Sequence, residues 1–313
     1  MGRDQYSLRK SPLKKGVRQW LKALPFILPG LLLVCAFILY PMLFTLRISL
    51  SEYKIVQGQI NFIGLENYKA VLTGGSRFWY ALRNNLLYAL VTVPFIILGG
   101  MFFAYLINNL KRGQGIFRVG FYLPVITSWV IVSLVFQYMF NNSNRGLFNF
   151  LLVDVLHLMD DYVPWLLREW SGNAAIWLMG IWKNTGWAML IFLAGLQGIP
   201  RELYEAAELD GAGLWKKFTS ITMPSLRPVT YYVMVNMIIG SFNVFIQVMM
   251  LTSGGPNGRT ATLQYLLYDK AFNQFGFGEA SAIGLISAVL IVLITAVLNK
   301  RLNLDTENEE GNA

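Results

Sequence analysis

This chain contains six long apolar runs, each long enough to cross a lipid bilayer. A membrane-spanning helix needs about 20 apolar residues, because the hydrocarbon core is about 30 Å thick and a helix rises 1.5 Å per residue. The six runs cover residues 24–46, 85–108, 119–140, 174–198, 229–251 and 280–299. This pattern predicts an all-α membrane protein with six transmembrane helices.

The polar segment between the fourth and fifth runs, residues 200–228, has a helical pattern of its own. Pro200 suits the first turn of a helix, where its missing N–H costs nothing. Gly211 suits the left-handed position that ends a helix. A second helix is predicted over 214–222, and Pro224 stops it. The sequence therefore predicts a helix–turn–helix at the membrane surface.

Lysine and arginine residues are divided unequally between the two sides of the predicted membrane. Sixteen of them flank one side and eight lie on the other. Positive residues concentrate on the cytoplasmic side of membrane proteins. We therefore predict that both termini and the 200–228 segment are cytoplasmic. The predicted domains are a basic N-terminal arm (1–22), a transmembrane domain (23–299) and a tail (300–313).

Composition excludes several classes of protein. Only 14% of the residues are charged, against about 25% in soluble proteins. One cysteine and one histidine leave no intrachain disulfide and no Cys/His metal cluster. No P-loop motif is present, and none of the six predicted cores contains an aspartate or glutamate. These absences disfavour a proton pump or an intramembrane enzyme. The net charge of +9 lies mostly beside apolar runs, so we predict no nucleic-acid partner.

Two sets of residues in the fourth and fifth runs are candidates for a solute passage. The fifth-run residues follow spacings of four, three and four, which place them on one helical face. Uncharged amides suit hydroxyl-rich neutral solutes, and aromatic rings suit sugar faces. The alternative is that these side chains hydrogen-bond one helix to another. The candidates are Asn184, Thr185, Trp187, Asn236, Gly240, Asn243 and Gln247.

Lys183 is the one ionisable residue deep within a predicted span. Its side chain either extends toward the membrane surface or faces the passage, where it would favour an anionic solute. The sequence leaves both alternatives open.

The 200–228 segment resembles the EAA signature of membrane subunits of binding-protein-dependent ABC importers. That pattern is E-A-A, a glycine, and then I-x-x-P. The residues that carry it here, with the adjoining aspartate, are Glu205, Ala206, Ala207, Asp210, Gly211, Ile221 and Pro224. FIGLENY (62–68), FYLPVI (121–126) and LTSGGPNGRT (251–260) resemble the maltose-type sugar permease branch of this family. We refer to residues 200–228 as the EAA segment.

The resemblance implies a permease without catalytic activity in a bacterial inner membrane, carrying a sugar or oligosaccharide. It implies that the EAA segment docks on a separate cytoplasmic ATPase dimer, with Glu205 and the small surface of Ala206 and Ala207 at the contact. ATP and magnesium would be bound by that ATPase, and no cofactor by this chain. The further partners implied are a second, homologous permease, an extracytoplasmic sugar-binding protein and membrane lipid. The alternative is a stand-alone channel or secondary transporter, in which the EAA segment is an ordinary loop.

Overall fold

The computed structural model describes residues 24–55, 57–110 and 112–310, with side chains to residue 300. The predicted N-terminal arm, 1–22, lies outside the described residues. The elements in chain order are α1 Leu24–Ser49, β1 Ser51–Lys54, β2 Gln59–Phe62, α2 Glu66–Thr73, α3 Arg77–Asn108, α4 Gln114–Ile126, α5 Trp129–Met139, α6 147–155, α7 Glu169–Gln197, α8 Arg201–Leu209, α9 214–225, α10 Arg227–Phe242, α11 Ile246–Leu251, α12 263–273 and α13 Phe277–Glu310.

Four of the described helices are long and apolar enough to cross a membrane. They are α1, α3, α7 and the Phe277–Lys300 part of α13. The pair α4 and α5 meets the same criterion together, but the two helices meet at a bend of 92°. The described residues therefore contain four candidate spans, or five if the bent pair forms one. A multi-pass helical membrane protein is confirmed, and the number six stays a prediction.

The third predicted run, 119–140, is not one straight helix. Pro124 lacks the backbone N–H that would continue the hydrogen bonds of α4, and the backbone becomes extended at Thr127 and Ser128. The Ser128 side chain then accepts a hydrogen bond of 3.3 Å from the Val130 N–H and caps the start of α5. Apolar composition predicted the span but not this bend, because hydropathy carries no information about direction.

The fifth predicted run, 229–251, is also interrupted. α10 ends at Phe242 and α11 begins at Ile246, so neither helix reaches the length of a span alone. The Gln247 side-chain oxygen accepts a hydrogen bond of 3.2 Å from the Phe245 N–H in the gap. The side chain thus supplies a partner for a backbone group that the interrupted helix leaves unpaired.

The helices α3 and α7 pack in parallel and form the centre of the bundle. Arg83, near the start of α3, contacts Glu169, the first residue of α7. Further along, a Cβ atom added to Gly100 would lie 2.7 Å from the Cβ of Ala188. This contact between small residues lets the two backbones approach closely. We call the end where both helices begin the far end, and the end where they finish, beside the EAA segment, the EAA end.

A two-stranded hairpin follows α1 at the far end. The antiparallel strands β1 and β2 pair Ser51 with Phe62 and Lys54 with Gln59. The Asn67 side chain donates hydrogen bonds of 2.9 Å to the Ser49 and Ser51 carbonyls, which fastens α2 against the hairpin. The sequence predicted no strand here, because four-residue polar strands show too little alternation to be recognised.

We predict that Gly100→Ala destabilises the bundle, whereas Gly120→Ala does not. The added methyl group at Gly100 forces α3 and α7 apart, and overpacking of this kind costs about 1–3 kcal/mol. At Gly120 in α4 no atom lies within 4 Å of an added Cβ, so alanine there should be neutral or mildly stabilising. Thermal unfolding in mild detergent measures the difference, and equal midpoints would contradict the packing argument.

Candidate functional site

The EAA segment forms the predicted helix–turn–helix, and Gly211 makes the turn. Its φ of +73° lies in the left-handed region, which costs glycine little. The Gly211 N–H donates to the Glu208 carbonyl at 3.0 Å, and the Ala212 N–H donates to the Ala207 carbonyl at 2.8 Å. These two bonds are the Schellman arrangement that satisfies the last carbonyls of a helix. The turn therefore has one defined geometry.

Large apolar side chains are exposed around this turn. Leu209 is 91% exposed, Leu214 73% and Trp215 76%. Glu205 and Ala206, one or two turns back along α8, are also exposed. Contiguous exposed apolar side chains at the tip of a projecting segment mark an interaction surface.

Polar contacts hold the two helices of the EAA segment together. The Lys217 ammonium lies 2.7 Å from a Glu208 carboxylate oxygen. The Tyr204 and Thr222 hydroxyls share a hydrogen bond of 2.9 Å. Each contact joins α8 to α9, so the two helices are connected at two points besides the turn.

Apolar contacts hold the EAA segment against the bundle. The Phe218 ring of α9 packs edge-to-face on the Tyr105 ring of α3, with 5.6 Å between the ring centres. Leu226, between α9 and α10, is fully buried. Its methyl group lies 2.9 Å from where a Cβ would stand at Gly195 of α7. Displacement of the segment therefore acts directly on α3 and α7.

The remaining residues of the EAA signature occupy different environments. Asp210 and Pro224 are exposed, and Ala207 and Ile221 are half-buried. The exposed members lie on α8, at the turn and at the end of α9. Beneath the two helices is a cavity of about 770 Å³, lined partly by Asn108 and Gln197.

The candidate passage residues of α10 are on an open side of the chain. The Asn236 amide donates to the Tyr232 carbonyl at 2.8 Å, and the Asn243 amide donates to the Ile239 carbonyl at 3.2 Å. Each amide oxygen is left available to a further partner. Gly240, between them, is exposed, and nothing lies within 4 Å of an added Cβ. The helical face predicted from spacing ends at Asn243, because Gln247 lies beyond the gap and is buried.

The candidate residues of α7 do not share one direction. Trp187 approaches α10, with 6.2 Å between its ring centre and that of Tyr232. Asn184 is half-buried and donates to the Gly180 carbonyl at 2.9 Å. Thr185 is buried against α3, where its methyl group lies 3.3 Å from the Cβ position of Gly99. Of the three, Trp187 is the residue with a ring contact to α10, Asn184 hydrogen-bonds within α7, and Thr185 is buried against α3.

Lys183 adopts neither of the two orientations open from the sequence. It is only 5% exposed, and its ammonium group is bound to backbone carbonyls at the bend between α4 and α5. The side chain is therefore directed into the protein, away from solvent. Sequence alone gave no sign of this partner, because the bend itself was not predicted.

A second polar network at the far end was missed by the sequence analysis. Glu169 accepts hydrogen bonds from Arg83 and from Arg259, the latter at 3.0 Å. The Asn84 amide donates to the Arg259 and Ala261 carbonyls at 2.6 and 2.8 Å. The hydrogen bond to Glu169 raises the pKa of Arg259 above its ordinary value, so that guanidinium stays charged. The polar residues Arg83 and Asn84, directly before the second apolar run, were the available signal.

The fold is that of the membrane component of an ABC transporter. It is similar to the crystal structure of a bacterial ABC transporter involved in the import of the acidic polysaccharide alginate. The TM-score is 0.80 at 22% sequence identity, over 93% of this chain and 98% of that chain. A second structure, the bacterial alginate ABC transporter in complex with alginate pentasaccharide-bound periplasmic protein, gives a TM-score of 0.78 at 22% identity, over 93% of this chain and 96% of that one.

Residues 70–306 match the family described as binding-protein-dependent transport system inner membrane component, and the chain belongs to this family. Trehalose/maltose transport system permease protein MalF of Thermococcus litoralis is 35% identical over 274 residues, covering 88% of this chain and 91% of that protein. Arabinooligosaccharides transport system permease protein AraP of Bacillus subtilis is 34% identical over 282 residues, covering 88% of each. Lactose transport system permease protein LacF of Rhizobium radiobacter is 33% identical over 296 residues, covering 93% and 95%.

We predict that Gly211→Ala loosens the EAA segment, whereas Gly213→Ala leaves it intact. A side chain at the left-handed position of Gly211 costs about 1–2 kcal/mol. Gly213 has a φ of −67°, which any residue adopts. Trypsin should therefore cleave after Lys216 and Lys217 faster in the Gly211→Ala protein in detergent. Identical cleavage rates in both variants would show that the turn does not depend on glycine.

Proposed function

We propose that this chain is a permease subunit of an ATP-driven ABC importer that carries a sugar or oligosaccharide delivered by an extracytoplasmic binding protein. The observation that carries the proposal is the EAA segment, a fixed helix–turn–helix with an exposed surface at Glu205 and Ala206. Family membership gives that surface its role, and the names of the trehalose/maltose, arabinooligosaccharide and lactose permeases support a saccharide as the solute.

In this proposal the chain crosses the membrane six times. α3 ends at the EAA end and α7 begins at the far end, so the bent pair α4 and α5 must return the chain between them. α10 starts after the EAA segment, and the Arg259 loop that follows α11 reaches Glu169 at the far end. α10 and α11 therefore make a crossing together. With α1 and α13 this gives six crossings, and the charge asymmetry places the EAA end in the cytoplasm.

The free energy that drives transport is supplied by a partner protein. ATP and magnesium are bound by a cytoplasmic ATPase dimer, which supplies the hydrolysis, and this chain carries out no covalent step. The EAA segment docks on that ATPase through Glu205, Ala206 and the apolar tip around Gly211. Because Phe218 packs on α3 and Leu226 packs on α7, movement of the ATPase is passed to the two central helices.

The solute passes along the open side that carries Asn184, Trp187, Asn236 and Asn243. Amide groups hydrogen-bond to hydroxyl groups, and an indole ring can cover the apolar face of a sugar ring. These residues form only one wall of a passage, since Gly240 and Asn243 are exposed and Asn236 is only half-buried. A second, homologous permease closes the passage as a heterodimer. The binding protein docks on the far-end loops, 50–84, 141–173 and 252–279.

We predict that Glu205→Lys weakens binding of the ATPase by at least about tenfold. Reversing a charge at a partly desolvated contact costs several kcal/mol. The measurement is the amount of ATPase that co-purifies with the chain from mild detergent, together with saccharide uptake in cells. For ATPase co-purification, Glu66→Lys on α2 is the matched control, because it reverses a charge that is also exposed but lies in the first turn of a far-end helix.

Two outcomes would contradict the proposed docking. One is full retention of the ATPase by Glu205→Lys with undiminished uptake. The other is equal loss of co-purifying ATPase in both variants, which would indicate damage to folding rather than to a contact.

We predict that Asn236→Leu and Asn243→Leu each lower uptake about tenfold, the equivalent of about 1.4 kcal/mol for a lost hydrogen bond to solute. Asn109→Leu is the matched control, because the Asn109 amide also donates to the carbonyl four residues earlier, but lies at the EAA end. Uptake of labelled saccharides is measured in cells that contain equal amounts of assembled transporter. Unchanged uptake in both passage variants would remove these residues from the solute path.

The proposed function is tested by measuring the uptake of a panel of labelled saccharides in cells with and without the chain. We expect uptake of at least one saccharide to depend on the chain, on the binding protein and on ATP. Uptake that continues after the ATPase is deleted would instead favour a stand-alone carrier.

A further inference from the structure

Lys183 stands at the midpoint of α7, fourteen residues from Glu169 and fourteen from Gln197. Its ammonium group donates three hydrogen bonds to backbone carbonyls, to Pro124 at 2.6 Å, to Val125 at 3.1 Å and to Thr127 at 2.6 Å. An ammonium group has three donors, so all of them are engaged.

These carbonyls belong to the end of α4, where the helix stops and the chain bends. The last carbonyls of a helix have no partner within it and carry a partial negative charge. At membrane depth no water can satisfy them. The Lys183 ammonium group donates hydrogen bonds to these carbonyls, and its positive charge lies beside their partial negative charge. The same contacts compensate for the burial of the ammonium group. Lys183 is therefore the cap of α4.

The same side chain also contacts the start of α5. The Lys183 ammonium lies 4.9 Å from the centre of the Trp129 ring, and Trp129 is the first residue of α5. A cation at this distance from an indole ring is attracted to it. One charged group thus touches both arms of the 92° bend.

Close packing fixes α7 against α4 beside this contact. A Cβ atom at Gly186, three residues after Lys183, would overlap the Phe121 carbonyl oxygen. The Val125 side chain would also lie 3.3 Å from that Cβ. Backbone-to-backbone contact of this kind leaves little room for the two helices to slide independently.

Toward the EAA end, α7 continues without interruption from Lys183 to Gln197, a distance of about 21 Å for a helix that rises 1.5 Å per residue. α8 begins at Arg201, and Leu226 at the end of the EAA segment packs on Gly195 of α7. A continuous helix therefore joins the EAA segment to the bend.

We propose that Lys183 is a positioning residue for transport, which passes movement of the EAA segment through α7 to the bend between α4 and α5. Its positive charge stabilises the bend between α4 and α5 and does not select an anionic solute. This inference rests on the proposed function, because it requires that the EAA segment move with an ATPase.

The test uses the whole transporter, reconstituted in liposomes with its partner permease, ATPase and binding protein. The quantity measured is the number of saccharide molecules imported per ATP hydrolysed. We expect Lys183→Met to lower this ratio about fivefold, in the range that residues along a coupling route contribute, with the KM for a neutral saccharide unchanged. Lys183→Arg keeps a cation with several N–H donors and should restore most of the ratio. Leu178→Ala, on the exposed side of α7, is the control and should match the wild type.

Three results would overturn the proposal. The first is a wild-type ratio in assembled Lys183→Met transporters. The second is reduced assembly with a normal ratio in the transporters that remain, since this would make Lys183 a folding residue only. The third is a KM that rises for an acidic oligosaccharide and not for a neutral one, which would place Lys183 in solute recognition.

A variant that fails to assemble does not end the test. Lys183→Gln keeps two N–H donors for the α4 carbonyls and removes the charge. The number of saccharide molecules imported per ATP hydrolysed is then measured for this variant. A wild-type value would overturn the proposal. Failure of the proposed function gives a different result, because the wild-type transporter itself would then show no import that depends on ATP.

Discussion

Backbone polar groups within a membrane need partners from the protein itself, and this requirement accounts for the side chains found at the two breaks in the third and fifth apolar runs. At the bend between α4 and α5, the Lys183 ammonium binds three freed carbonyls. In the gap between α10 and α11, the Gln247 oxygen accepts the free N–H of Phe245. In each of the two interrupted apolar runs, a polar side chain thus supplies hydrogen-bond partners for backbone groups at the break.

The parallel helices α3 and α7 contact each other, the far-end loop and the EAA segment. Small residues, with Gly100 against Ala188, bring the helices into close contact along their length. At the far end Glu169 joins the pair to the loop that carries Arg259. At the EAA end Phe218 and Leu226 seat the EAA segment on the same two helices. The surface proposed for the ATPase and the loops proposed for the binding protein therefore lie at opposite ends of the same pair of helices.

Sequence reasoning succeeded where the signal is local. The EAA segment was predicted with its two helices and its turn, because proline, glycine and helix-forming residues act within a few positions of themselves. Residues Asn236 and Asn243 were also placed together on one face by spacing alone. Reasoning failed where two distant segments decide the outcome. Thr185 was a passage candidate together with Asn184 and Trp187, but it is buried against Gly99 because of how α3 lies against α7.

The sequence by itself determined the membrane class, the positions of the apolar segments, the EAA segment and the likeness to a transport family, because composition, periodicity and short motifs are properties of neighbouring residues. Only the tertiary structure decided where the third and fifth runs break, which way Lys183 points and which residues hold the far-end loop. The orientation of Lys183 and the attachment of the far-end loop each depend on a partner distant in the chain: Pro124 to Thr127 for Lys183, and Arg259 for Glu169. The physical reason is that a buried polar group takes whichever partner the packing brings within hydrogen-bond distance, and packing is a property of the whole fold.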